Sequence, residues 1–261
     1  MISPVSAELM KLRRHSILWL GALGAVVPVV LDVAWYYTAR GRFDMSAETF
    51  VSQAVFTVAL LEGPAGAAII GTMLFGREYT ERTLPNLLAS AVPRSVWVGA
   101  KWIALAIVGL GILMSSWALT LGTTALVMGT RPLTPELVLG SLAACAAAAF
   151  ALYGTSAIAV GLTLATRNQM AGVGWGVAAT MVAVVSINSK YAILFPGSVP
   201  WIAGALAFEA VSPSLAQGAR LAAQFAWTGI PPALTVTLIA LAVWVAGVAF
   251  SLWHVHHADF P

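Results

Sequence analysis

The chain has 261 residues, of which 60% are hydrophobic and only 9% charged, with a formal net charge of +3 and a mean hydropathy of +0.89. An ordinary soluble domain carries about a quarter charged residues, so no soluble fold hides this much apolar surface, and the long uncharged runs belong to a polytopic membrane bundle. The 13 Lys and Arg are too few and too scattered for a nucleic-acid surface, and a single cysteine, Cys145, allows no intrachain disulfide.

Residues 1 to 15 place Val5, Leu9 and Leu12 at helical spacing with Glu8, Lys11 and Arg14 off that line. This pattern predicts a short amphipathic helix lying in the membrane interface. The apolar stretch from Ile17 to Tyr37 is too long for the core of a signal peptide, lacks a small-residue cleavage site and runs into Arg40 and Arg42. It reads as an uncleaved first span.

The spans expected are residues 17–38, 50–75, 97–128, 136–166, 170–189 and 230–253, within a single transmembrane domain covering 1–261. No charge occurs between Trp102 and Thr130 or between Leu137 and Thr166. With the N-terminus inside, the inner segments hold Lys11, Arg13, Arg14, Arg77, Arg82, Arg94, Lys101 and Arg167, while the outer ones hold Arg40, Arg42, Arg131, Lys190 and Arg220. That bias predicts cytoplasmic N- and C-termini. Trp35, Tyr36 and Tyr37 then form an outer aromatic belt, and Trp97 and Trp253 an inner one.

Small residues crowd the fourth span from Ala143 to Ala149 and the fifth at Gly172, Gly174 and Gly176, which predicts close helix packing within one subunit or between two. The stretch from Tyr191 to Phe208 is apolar, but Pro196, Gly197 and Pro200 interrupt it. Residues 190–229 are therefore expected to form short external helices that dip back toward the membrane and lie buried against protein.

Between the second and third spans, residues 76–96 segregate their charges from their apolar side chains. Arg77, Glu78, Glu81 and Arg82 offer both signs of charge, Tyr79, Leu84, Leu87 and Leu88 an apolar surface, and Glu78 and Arg82 are spaced to pair on a helix. Pro85 and Pro93 limit the segment, and Ser95 is placed to cap the next span. A short helix strung between two spans acts as a lever, and mixed charges suit docking of another protein.

The interfacial helix with Glu8, Lys11 and Arg14, followed by Phe75-Gly-Arg-Glu78, Arg82-Thr-Leu84, Leu87-Leu88, Pro93-Arg94 and Lys101, resembles the ABC-2 type transporter permeases, particularly their bacitracin and lantibiotic resistance branch. The resemblance implies a half-transporter in the cytoplasmic membrane with a coupling helix between spans two and three. Two permeases, as a second copy or a paralogue, would pair with two ATPase subunits. ATP and Mg would be bound and hydrolysed by the partner ATPase, with no cofactor in this chain. By position Glu78, Arg82, Thr83 and Leu84 would face the ATPase, with Arg77 and Glu81 on the same segment. Pro85 departs from the polar helical turn usual in such proteins.

No nucleotide motif competes with this division of labour. Gly71 to Gly76 has the two glycines of a P-loop, but Arg77 and Glu78 stand where Lys and Ser or Thr are required. Asp32 and Glu62 lie inside spans one and two, where an ionised carboxylate is costly, so each is a candidate for a substrate path; the alternative has Glu62 protonated or hydrogen-bonded within the bundle and Asp32 reaching toward the outer interface. His254, His256 and His257 with Asp259 match a metal tract only in composition, and no catalytic constellation is present.

The function expected is export of an amphipathic drug, antimicrobial peptide or lipid-like molecule, driven by a separate ATPase. A proton-coupled secondary transporter using Asp32 or Glu62 and a non-transporting membrane scaffold are the alternatives, the former weakened by the lack of paired inverted repeats.

Overall fold

Apolar runs without interior turn signals can satisfy their backbone in a bilayer only as helices, and every regular element among the described residues is helical. The computed structural model describes residues 4–13, 17–39, 46–81, 83, 93–211 and 228–257, without the side chains of residues 13, 17, 18, 20, 39, 61 and 62. The helices are α1 (Pro4–Arg13), α2 (Ile17–Ala39), α3 (Ala47–Thr57), α4 (Gly63–Thr80), α5 (Arg94–Met128), α6 (Pro135–Thr166), α7 (Gln169–Ser186), α8 (Val199–Val211) and α9 (Pro232–His257). The helices α2, α5, α6, α7 and α9 are long and apolar enough to cross a bilayer. Six spans result when α3 and α4 count as one bent span.

That bend has a chemical cause. Pro64 has no N–H and its ring crowds the carbonyl four residues earlier, so the ladder widens there. Val58–Glu62 form a π-turn, the Gly63 N–H reaches back to the Val58 carbonyl, and the two halves meet at 41°. Glu62 closes this turn; its side chain lies outside the described residues.

The helix ends follow local capping chemistry. Ser46, Thr134 and Asn168 each accept a backbone N–H from the first turn of α3, α6 and α7. Arg167, at φ 55°, ends α6 in the left-handed region and lets α7 begin two residues later. Ser95 does not cap α5: Pro93 occupies that position and Arg94 starts the helix, because a proline fixed at φ −56° is already shaped for helix entry.

The core centres on α6, 56% of whose apolar window is buried against 11% for α9 at the rim. Close approach depends on missing side chains. A Cβ on Gly172 would collide with Thr72, Thr163 and the Ala159 carbonyl, and one on Gly176 with Ala68 and Ala65. The small-residue spacing in α7 thus serves packing against α4 and α6 of the same subunit, while Gly174 faces open space. Gly71 and Gly76 lie inside α4 and face Val160, Thr163 and Gln169. The apparent phosphate loop is a helix seam, which offers nucleotide no free backbone N–H groups.

Past α7 the chain makes a 3-10 turn, Ala192–Leu194, with Ala192 and Ile193 buried, then α8, which packs on α6 with Gly204 near the Ala144 carbonyl. Pro200 opens this helix instead of breaking it, since the first turn needs no proline N–H. Phe56 and Trp201 meet edge to face at 5.8 Å, which ties α8 to α3. Residues 212–227 of the expected external segment lie outside the described residues.

Candidate functional site

The second half of α1, the N-terminal ends of α5 and α7 and the C-terminal ends of α4, α6 and α9 gather at one end of the bundle. Lys11, Arg77, Arg94, Lys101 and Arg167 belong to this end, whereas Arg131 and Lys190 belong to the other. At 35 residues α5 is about 52 Å long, well beyond the roughly 30 Å of hydrocarbon in a bilayer.

The first turns of α5 carry Lys101, whose side chain is 1% exposed. Its ammonium is saturated. Nζ donates to Glu78 Oε1 at 2.6 Å, to Glu8 Oε2 at 3.2 Å and to the Leu74 carbonyl, while the Trp97 ring lies 5.1 Å away and the Phe75 ring 5.8 Å. An ammonium has three protons to give, and here each finds an oxygen. A buried amine is tolerated only when paired and hydrogen-bonded in this way.

Around that hub the charges alternate. Lys11 pairs with the other oxygen of Glu8 at 2.6 Å and stands 4.0 Å from Glu78. Arg77 pairs with Glu81 at 2.7 Å and donates to the Lys11 carbonyl at 3.5 Å. The network therefore fastens α1, the last turns of α4 and the first turns of α5 to one another. Leu12, Leu74, Phe75, Trp97, Val98 and Trp102 form the apolar floor beneath it.

The Glu8 carboxyl feels two opposed forces. Burial alone raises it, but Lys101 and then Lys11 override that and hold it below the usual carboxylate range. This also refines the expected interfacial helix: Leu12 faces the core as the periodicity implies, while Glu8, off the apolar line, turns into protein to meet Lys101. Trp97 likewise is 6% exposed beside the hub instead of joining a lipid-facing belt, whereas Trp253 is 57% exposed.

The sequence-predicted docking residues divide. Glu78 is 3% exposed and turned inward onto Lys101. Arg77 is partly exposed, and Glu81 and Thr83 face outward. Arg82 and Leu84 lie outside the described residues, so the pair expected between Glu78 and Arg82 is not described; the pair of that spacing that is present joins Arg77 to Glu81. On the other side of the segment, Arg94 donates to the Val255 carbonyl at 3.0 Å and the His256 carbonyl at 3.4 Å, capping the end of α9.

Asp32 is 3% exposed. Its Oδ1 accepts from the Thr57 hydroxyl at 2.9 Å, but that hydroxyl also lies 3.0 Å from the Gln53 carbonyl and has one proton for both. Asp32 Oδ2 has no hydrogen-bond partner among the described residues. Thr57 directly precedes the π-turn, so Asp32 is attached to the lip of the bend in the second span. Among the described residues no three of His, Cys, Asp and Glu converge as a metal site.

Sequence reasoning had Glu8, Lys11 and Lys101 in hand as part of a resemblance, without their mutual contact. The available signal was a lone lysine, Lys101, near the start of a long apolar span, which requires a buried partner.

Residues 5–186, which include the whole network, match the family described as ABC-2 family transporter protein. Among curated proteins, the bacitracin transport permease protein BCRB of Bacillus licheniformis is 26% identical over 156 residues, covering 60% of this chain and 74% of that protein. No solved structure matches.

Proposed function

The chain belongs to the ABC-2 family of transporter proteins, a multi-pass membrane permease, and on that premise we propose that it is the membrane half of an ATP-driven exporter worked by a separate ATPase. The observation that carries this reading is the Lys101 network. A lever transmits force only if its two ends are stiff, and the segment between Glu81 and Pro93 leaves α4 and enters α5 at turns held together by Lys101, Glu78 and the Leu74 carbonyl.

In this reading the basic end of the bundle is cytoplasmic, which the clustering of Lys11, Arg77, Arg94, Lys101 and Arg167 supports. Both termini then lie in the cytoplasm of a cell whose inner membrane holds the protein. The ATPase engages the outward residues Arg77, Glu81 and Thr83 together with Arg82 and Leu84, and Glu78 acts from beneath as the anchor. Two such permeases pair with two ATPase subunits, which bind the ATP and Mg. The cargo is amphipathic, by analogy with a relative whose name specifies bacitracin transport.

Co-expression with a candidate ABC ATPase subunit tests the proposal. The complex is expected to co-purify and to move amphipathic peptide across proteoliposomes only with ATP, and Glu81→Lys is expected to weaken ATPase capture while leaving the permease folded. Transport that persists without ATP under a proton gradient would refute it. A second reading rests on Asp32: a carboxyl with one unpartnered oxygen beside a helix bend is what a proton-coupled carrier needs. Asp32→Asn that abolishes gradient-driven transport would favour that reading.

A further inference from the structure

The last turns of α9 rest on α6 where α6 lacks bulk. A Cβ on Gly247 would collide with Ala157, and one on Gly161 would meet the Phe250 ring at 3.5 Å, so the Phe250 ring lies over a glycine. One turn later His254 stacks on Phe250, with ring centroids 5.8 Å apart and planes 29° from parallel. Immediately beyond it, Arg94 at the start of α5 donates to the Val255 and His256 carbonyls. His254 therefore stands between the packing of α9 on α6 and the cap that joins α9 to α5.

The three histidines of this end differ. His256 and His257 are exposed, and His257 Nδ1 lies 2.9 Å from the Trp253 carbonyl. His254 is half-buried, and its Nε2 is buried with no hydrogen-bond partner among the described residues. A neutral imidazole can carry its proton on Nδ1 and leave Nε2 a bare acceptor, whereas an imidazolium donates from both nitrogens. A proton on Nε2 is here a charged donor without an acceptor, which is the costly case. The surrounding groups give no relief. Burial opposes a positive charge on the ring, and the Arg167 guanidinium at the end of α6 opposes it further. The same Arg167 charge reaches Tyr79 of α4, and Arg94 of α5 is engaged with carbonyls.

We propose that His254 is a proton-sensitive fastening for the end of α9: its neutral ring holds Phe250 against α6, and protonation expels the ring and loosens the last two turns together with the Arg94 cap. A histidine harder to protonate when packed contributes stability above 6.5, its ordinary value, and that contribution is lost as pH falls below it. Arg94 also begins the helix that follows the 76–96 segment, so acid at this end of the bundle slackens one anchor of that segment. The fastening belongs to the permease alone and stands whether or not an ATPase works it.

Hydrogen exchange read by mass spectrometry on the full chain in phospholipid nanodiscs tests this, with rates corrected for the intrinsic pH dependence of exchange. Between about pH 7.5 and about pH 5, the range in which histidine titrates, protection of residues 250–257 is expected to fall about tenfold in the wild type, the scale of one buried unsatisfied donor. Protection of α1 is expected to hold over the same range, since Glu8 stays charged down to 4.5. His254→Phe keeps a ring to stack on Phe250 and takes no proton, so its protection of 250–257 is expected not to change with pH. A variant carrying both His256→Gln and His257→Gln is expected to retain the wild-type fall. Wild-type protection that ignores pH, an equal fall in His254→Phe, or loss of the fall in the His256→Gln, His257→Gln variant overturns the proposal.

Discussion

Two buried carboxylate sites in this molecule are built on opposite terms. At the basic end, Glu8 and Glu78 share the Lys101 ammonium, and every proton of that ammonium has an oxygen. Beside the bend in the second span, Asp32 has one shared hydroxyl proton and an oxygen with no partner among the described residues. The difference teaches what each can do. Removing Lys101 strands two carboxylates, and Glu78 Oε2, like Asp32 Oδ2, already lacks a hydrogen-bond partner among the described residues, whereas Asp32 is held by a hydroxyl alone and loses little when its charge is removed.

The largest effect is therefore expected at the hub. Lys101→Met strands two carboxylates and is expected to cost about 3–5 kcal/mol, read as a lowered thermal midpoint by tryptophan fluorescence in detergent. Adding Glu8→Gln and Glu78→Gln to that variant is expected to recover most of the loss, and failure to recover would mean that the charges are not what the hub balances. Asp32→Asn keeps the shape and removes the charge, with an expected change within about 1 kcal/mol. A loss there as large as that of Lys101→Met would erase the contrast.

Acid sharpens the comparison further. The Glu8 carboxyl is held below 4.5 when folded, so the stability it contributes is fully present above that value and is lost as pH falls through its lower folded value. Protection of α1 from hydrogen exchange is expected to persist as pH falls to 4.5 and to decline only below it. Release of α1 at neutral pH would show that Lys101 and Lys11 do not hold Glu8 charged. The smallest effect belongs to Arg77→Ala, since its pair with Glu81 is substantially exposed and is expected to contribute under about 1 kcal/mol.

Much of the architecture was legible in the chain because hydrophobic length and bilayer thickness are locked together. The uncharged runs after Trp102 and from Leu137 could become little else than α5 and α6. Glu62-Gly63-Pro64 carries a signal for the bend, since a proline inside a span frees a carbonyl in the turn before it, but Pro28 lies inside α2 without interrupting it. Pro200 misled, because the same residue breaks a helix in its interior and starts one in its first turn, and only the position of Val199 distinguishes the two. The hub was legible in its parts alone. Lys101 demanded a partner, but no local rule relates it to Glu8, 93 positions earlier; that meeting depends on the angle at which α1 returns to α5.

The cap that Arg94 places on α9 also has a biosynthetic side. Its acceptor, the Val255 carbonyl, lies 161 residues later in the chain, and at about 5–20 residues per second those positions leave the ribosome roughly 8–32 s apart. Throughout that interval the guanidinium lacks this native partner, and the entry to α5 stays unlatched until the last helix inserts. Closure of the cap thus waits on insertion of α9, and a truncation before His254 would leave a bundle with its cores assembled and this latch open.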